Sequence, residues 1–369
     1  MNTFQKPTFS NPGLQIQFYR SVLNKVNRYF RMYGLKKNGH WRMLVKAAVM
    51  FAIYFGPYGL VLSGLLTGTF WWVVAYLIMG IGVSGIGLSI MHDANHGAFS
   101  QKKWVNKAFG FTMNLVGANA FTWRVQHNVL HHTYTNVHGM DEDIAGRGLF
   151  RFSPDSPHRK IHRFQHVYAW FFYSLLTISW MFMGDFVRLA RYKKMGLIEQ
   201  QKTTFKRELT IMILSKIGYV GYILVLPILF SGMPWWQPVV GFFIMHLLAG
   251  LILSMIFQPA HVEESTSFYQ PNESNKLPDA WAAHQLMTTS NFAMRSRWFT
   301  WFIGGLNYQV EHHLFPHVSH VHYRKLSKLV RRTAEEFGLP YNYRRTWVGA
   351  LWHHGRQLYS LGRPQRQLS

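Results

Sequence analysis

The chain has 369 residues, 39 lysines and arginines against 15 aspartates and glutamates, a formal net charge of +24 before its 20 histidines are counted, and no cysteine. The missing cysteine excludes disulfide frameworks, thiolate zinc sites, cysteine-ligated iron–sulfur clusters and cysteine nucleophiles, so any metal must be held through nitrogen or oxygen. Hydrophobic residues make up 49% of the chain while its mean hydropathy is −0.04, an average that can hide segregated apolar and basic stretches, and long uncharged apolar runs argue against a nucleic-acid binder.

Residues 1–42 read as a polar and aromatic cytoplasmic arm with no separate signal peptide. From Ala47 to Gln101 there is no Lys or Arg, and Asp93 is the only acid. This gap contains Val45–Leu66 and Phe70–Met91, each about 20 residues and long enough to cross ~30 Å of hydrocarbon. Only residues around Thr67–Gly68 separate them, so 45–91 reads as a first transmembrane hairpin. Residues 92–208 form a cytoplasmic and interfacial region, in which Phe109–Phe121 is too short to span and Val167–Met183 reads as an interfacial or re-entrant helix.

Residues 209–258 form the second hairpin: Ile217–Phe230 with its flanks, then Trp235–Phe257, joined by the uncharged Ser231-Gly232-Met233-Pro234. Of the ionisable groups there, only His246 lies mid-span, with Lys216 near a span end. The basic residues lie before, between and after the hairpins, which places both termini and the middle region in the cytoplasm. Trp71, Trp72, Trp235 and Trp236 open the second helix of each hairpin, where aromatic belts belong. The expected architecture is all-α: a multi-pass membrane protein with four transmembrane helices in two hairpins. Residues 259–369 complete a helical cytoplasmic cap holding a di-metal site, and 1–369 form one domain.

Histidine spacing carries the chemistry. His92 and His96, at the cytoplasmic end of the second span, are four residues apart, so both imidazoles share one helix face. His127 and His131 repeat that spacing, and His132 lies about 100° further round, able to face a second metal. His261 follows the fourth span as His92 follows the second, and His312 and His313 are adjacent in the cap. The topology puts these eight on one side of the membrane, provided Val167–Met183 does not cross it. Eight neutral imidazoles exceed one coordination sphere and imply two ions, of Fe, Cu, Zn or Ni on ligand type alone. Ligating imidazoles need outer partners. Asp93, Asp141, Asp143, Glu263 and Glu311, within or close to the boxes, are candidates, while Glu142 and Glu264 read as solvated loop acids. His166, His284, His317, His320 and His322 read as packing or surface residues.

The segments HDANH, HNVLHHTYTN and NYQVEHHLFP, in this order and with two hairpins, resemble the membrane-bound fatty acyl desaturase family from the first hairpin to about Tyr341. The resemblance implies a centre of two Fe ions that uses O2 to remove two hydrogens from an unactivated acyl chain, leaving a cis double bond. Residue by residue it assigns metal-ligand roles to His92, His96, His127, His131, His132, His312 and His313, and to His261 in FQPAH as an additional ligand. Gln309 stands where many members have His, a departure resembling the front-end and linoleoyl-type branch, and reads as an outer or labile ligand. That branch is often fused to a cytochrome b5 domain with a His-Pro-Gly-Gly motif, which this sequence lacks. The expected electron donor is therefore a separate ferredoxin, rubredoxin or cytochrome b5 type of protein.

The expected partners are a fatty acyl substrate, carried as acyl-CoA, acyl-carrier protein or acyl lipid, and the lipid bilayer, with no nucleic acid. A bacterial cytoplasmic membrane fits better than endoplasmic reticulum. Trp123 and Arg124, just before the second box, are candidate contacts for the substrate head group, and Trp281–Phe292 resembles a family stretch near the substrate entrance. A lipid or alkane hydroxylase or ketolase shares the histidine scaffold and is the nearest alternative. A His-rich metal transporter would carry ionisable residues along its spans, and a zinc hydrolase would need an open three-ligand site with a carboxylate base.

Overall fold

A computed structural model describes residues 5–66 and 68–364; Thr67 of the first hairpin tip and the first four residues of the arm lie outside the described residues. The chain is mostly helical. Its strands are short parallel pairs, Thr8–Phe9 with Lys276–Leu277 and Ser290–Phe292 with Asn342–Arg344. It forms two compact units. One comprises His40–Val125 and Phe171–Ser254; the other comprises Gln5–Gly39, Gln126–Trp170 and the chain from Met255 onward.

Four helices are long and apolar enough to cross a membrane: Trp41–Leu62, Thr69–Asn95, Phe205–Phe230 and Trp236–His261. The third begins before the expected hairpin boundary, and the second and fourth carry His92 and His261 in their own last turns rather than beyond them. Thr69–Asn95 is the innermost, with 72% of its apolar window buried, against 28% and 22% for Trp41–Leu62 and Phe205–Phe230. Toward its end the α-helix is interrupted: Ile86–Met91 widen into a π turn before the short α-helix His92–Asn95. Such turns cluster at functional sites because they rotate the residues beyond them about the helix axis. Close packing is possible because Gly241 leaves room for the Tyr76 ring, which any Cβ at that position would overlap.

The fifth apolar stretch is broken. Helical segments Lys160–Ser174 and Leu176–Lys194 meet at 61°. Within the first unit the break packs against Gly250, where a Cβ would collide with the Ser174 carbonyl. Backbone groups freed at such a break must find partners inside the protein. Ser254 Oγ donates to the Tyr173 carbonyl at 3.3 Å, and Thr177 Oγ1 donates to the His246 carbonyl at 2.9 Å. The mid-span His246 ring is held between Thr177 Oγ1 at 3.0 Å and Tyr219 OH at 2.7 Å, a structural use of an intramembrane imidazole. Lys216 forms a buried ion pair with Asp185 at 2.8 Å and donates to the carbonyls of Gly117 and Trp180.

The second unit is built on an apolar cluster. Phe18, Val22, Val26 and Phe30 form one stripe of helix Gly13–Met32, at the i, i+4 spacing of a buried face. They pack with Leu326, Val330 and Ala334 of helix Tyr323–Glu336 and with Val310 and Leu314 of the third box. The residues read as an arm are thus part of the cap core. Phe9 stacks on Tyr134 at 5.9 Å and meets the His284 ring edge-on at 5.4 Å, while Tyr134 OH donates to the Pro7 carbonyl.

Candidate metal centre

Each histidine is set by its own local element. In the first unit, His92 and His96 face the same side with ring centroids 4.8 Å apart, and the Trp123 ring packs edge-on to both at 5.4 and 5.9 Å. Trp123 is only 4% exposed and clusters with Met91, Met113, Ala118 and Ala120. The structure therefore places Trp123 as a wall beside the first box. Arg124 instead lines a cleft of about 450 Å3 with Lys103, Lys107, Arg207 and Asn119, where its Nη1 donates to Asn95 Oδ1 at 3.3 Å. Asp93 is buried, and its closest carboxylate oxygen is 4.0 Å from His92 Nδ1.

In the second unit the second box is a π turn, Val125–His131, closed by a backbone bond from His132 N to the His127 carbonyl. The widened turn keeps His131 beside His127, as the spacing expects, and brings His132 to it as well, with Nε2 atoms 3.1 Å apart; His312 Nε2 joins at 2.9 Å from His132 and 3.4 Å from His127. His131 forms a second group with His261 and His313, its ring 4.7 and 4.9 Å from theirs. The groups adjoin through the stacked rings of His132 and His313, 4.3 Å apart, and His127 stays stacked on His131 at 5.3 Å. All six imidazoles are buried.

The outer nitrogens are held by the cap. His131 Nδ1 lies 3.1 Å from both carboxylate oxygens of Asp141 and 3.3 Å from Asp143 Oδ2. His261 Nδ1 donates to the Thr288 carbonyl at 3.2 Å; because a carbonyl only accepts, Nε2 keeps its lone pair. His313 Nδ1 is 2.8 Å from Gln285 Oε1, which also accepts from Thr135 Oγ1 at 2.9 Å. His312 Nδ1 is 3.3 Å from Tyr323 OH. Fixing one ring nitrogen so that the other faces inward is how proteins orient metal-ligating histidines. Donor atoms about 3 Å apart also suit metal–imidazole bonds of about 2.1 Å. The donor set therefore fits metal ions.

Burial opposes the charged form of His131, but the Asp141 and Asp143 carboxylates outweigh it and raise the imidazole to about 9, while Asp141, against its own burial, is held below the usual carboxylate range by His131 and two backbone N–H groups. Those carboxylates favour a cation at this position. Burial pushes the Glu311 carboxyl up to about 7, although Asn291 Nδ2 and Tyr341 OH donate to it at 2.9 Å each. Glu311 thereby ties the third-box helix to strand Ser290–Phe292, whose Asn291 Oδ1 also accepts from Val310 N. Gln309 is 1% exposed, and its Nε2 has no hydrogen-bond partner among the described residues.

Glu142 is buried at 8% exposure rather than solvated, because the loop carrying it folds over the second box, whereas Glu264 is more open and pairs with Arg356 at 3.1 Å. Spacing offered no signal for Thr135, Gln285, Asn291 or Tyr323. Asp141 returns to His131 because Asn136 adopts a left-handed backbone, φ 57°, that reverses the chain and aims its N–H at Asp141 Oδ2, 2.9 Å away. His284 donates its Nε2 proton to the Thr135 carbonyl at 2.8 Å, supporting the second box from behind.

Residues 69–345 match the family model described as "Fatty acid desaturase". The chain is 34% identical to the sn-1 linoleoyl-lipid 6-desaturase of Arthrospira platensis, over 95% of this chain and 93% of that protein. It is 34% identical to the enzyme of the same description from Synechocystis sp., over 94% and 96%. It is also 34% identical to the acyl-lipid (8-3)-desaturase of Physcomitrium patens, over 97% of this chain and 75% of that protein.

Proposed function

The chain belongs to the fatty acid desaturase family and is an oxidoreductase of fatty acyl chains, and from that premise we propose that it is an O2-dependent di-iron desaturase of acyl lipids with front-end regiochemistry. The proposed ligands are His92, His96, His127, His131, His132, His261, His312 and His313, with Gln309 as a weak one. The reading rests above all on the convergence of the Nε2 atoms of His127, His132 and His312 at 2.9–3.4 Å, with His312 Nδ1 facing Tyr323 OH. Held by these imidazoles, two iron ions would supply the O2 chemistry that removes hydrogen from adjacent methylenes. The chain's own residues hold the imidazoles in one tautomer, exclude water by burial, and keep anionic charge beside His131 through Asp141 and Asp143.

Front-end regiochemistry and an acyl-lipid substrate follow the relatives, which are named linoleoyl-lipid 6- and acyl-lipid (8-3)-desaturases. The Arg124 cleft, with Lys103, Lys107 and Arg207, takes the polar head group while the chain lies among the helices. The basic segments outside the apolar helices support a multi-pass protein of a bacterial cytoplasmic membrane with both termini cytoplasmic, served by a separate electron carrier.

The test is expression in a host lacking polyunsaturated lipids, with and without His312→Ala, with mass spectrometry of the fatty acids and iron analysis as readouts. A new double bond in the native protein only, with about two irons per chain, is the expected result. A hydroxylated product, or one zinc and no iron, overturns the reading.

A further inference from the structure

Helix Tyr323–Glu336 has two unlike faces. Leu326, Val330 and Ala334 are fully buried in the cap core, while Arg324, Lys325, Lys328, Arg331 and Arg332 are all exposed. Arg331 and Arg332 have partners in Glu335 and Glu336, one turn on at 2.9 and 3.4 Å. Arg324, Lys325 and Lys328, in the first two turns, pair with no carboxylate among the described residues. The exposed Lys36 and Lys37 adjoin that end, because the Lys37 carbonyl accepts from Ser319 N at 2.9 Å, just before the helix begins.

The first residue of the same helix points the other way. Tyr323 is 1% exposed, and its OH stands 3.3 Å from His312 Nδ1, while His312 Nε2 faces His132 and His127. A single side chain therefore links the basic surface to a ring of the candidate metal centre. A helix lying on a bilayer would present apolar and aromatic side chains outward. Trp298 and Trp352, 82% and 68% exposed, do so elsewhere in the cap, but helix Tyr323–Glu336 exposes no large apolar side chain.

We propose that the face formed by Arg324, Lys325 and Lys328 with Lys36 and Lys37 docks an acidic one-electron carrier protein, and that Tyr323 conducts the electron from that face to His312. The proposal rests on the desaturase reading. Each turnover removes two hydrogens from the acyl chain and reduces O2 to two waters. Of the four electrons required, two come from the broken C–H bonds and two from the carrier, with two protons from solvent. A one-electron carrier must therefore dock, be oxidised and leave twice per double bond. Short-lived redox encounters use small interfaces, and charge complementarity raises their association rate.

The test uses the full-length protein in nanodiscs of neutral lipid and an acidic [2Fe–2S] ferredoxin as probe. Arg324→Glu with Lys325→Glu and Lys328→Glu is expected to slow ferredoxin association at least tenfold and to abolish most of its salt dependence. A control of equal charge, Lys194→Glu with Lys202→Glu and Lys206→Glu, leaves it unchanged. Tyr323→Phe keeps the affinity but slows reduction of the bound iron by docked ferredoxin, while reduction by dithionite is unaltered. Unchanged association in the first variant, an equal loss in the control, or an effect seen only in anionic nanodiscs overturns the proposal. Association is read on metal-free protein and product formation separately. Intact docking with no desaturated product therefore counts against the desaturase reading alone, and normal product with unaltered docking against this proposal alone.

Discussion

His131 Nδ1 lies 3.1 Å from both carboxylate oxygens of Asp141, and Asp141 itself is fixed by the N–H groups of Asn136 and Asp143. The carboxylate is thus oriented before any metal arrives, and it selects the His131 tautomer that leaves Nε2 facing inward. Asp141→Asn, which keeps the shape and removes the charge, is expected to lower metal affinity about 10–100-fold. Asp143→Asn should cost several-fold less, because Asp143 is 29% exposed and its charge is partly screened. Iron retained per chain against a chelator series measures both; equal losses would refute the ranking.

Gly250 receives the broken helix at Ser174. Gly250→Ala inserts a methyl where the Ser174 carbonyl lies, and overpacking of this kind costs about 1–3 kcal/mol. A lowered thermal midpoint in detergent, with iron binding at the remaining folded fraction unchanged, is the expected outcome. An unchanged midpoint would mean that the break is not packed against this position.

Two cap histidines make the protein acid-sensitive independently of the metal. Burial drives the imidazoles of His284 and His354 down to about 4, from an ordinary value near 6.5. Between these values the unfolded chain binds more protons than the folded one, so the contribution is complete above pH 6.5 and is lost as pH falls toward 4. The loss is roughly 3 kcal/mol per imidazole at most. His354 Nδ1 donates to the Val262 carbonyl, and glutamine can donate there without titrating. His354→Gln in metal-free protein should therefore flatten the fall in thermal midpoint between about pH 6.5 and 4.5; a slope parallel to the native protein would contradict it.

Arg124 lines the basic cleft without touching the histidines of its own unit, so its replacement separates binding from chemistry. Arg124→Gln is expected to raise the KM for an acyl lipid about three- to tenfold, with kcat within about twofold and iron content unchanged. A fall in kcat with an unaltered KM would remove the cleft from substrate binding.

Much of the architecture was legible because hydrocarbon thickness imposes a length on apolar helices. The apolar runs ending near His92 and His261 could be read directly, whereas the 61° break in the Val167–Met183 stretch could not. The histidines were legible because spacing and order carry them. Their full grouping was not: the spacing pairs His127 with His131, and the π turn brings His132 to His127 as well. One added residue per turn leaves no mark in local composition. The place of the arm in the cap core was hidden for a related reason, since the apolar stripe of Phe18, Val22, Val26 and Phe30 reveals an amphipathic helix but not the surface that covers it.

The sequence by itself determined the membrane-spanning class, the absence of thiolate chemistry and which imidazoles are candidate donors. All three depend on residue type and periodicity along one segment. Only the tertiary structure decided that Asp141 orients His131, that Gln285 and Thr288 hold His313 and His261, and that Tyr323 OH faces His312. Each of these is a hydrogen bond whose partners are brought together by chain reversal or by packing of distant segments, and their direction is set by geometry that spacing does not encode.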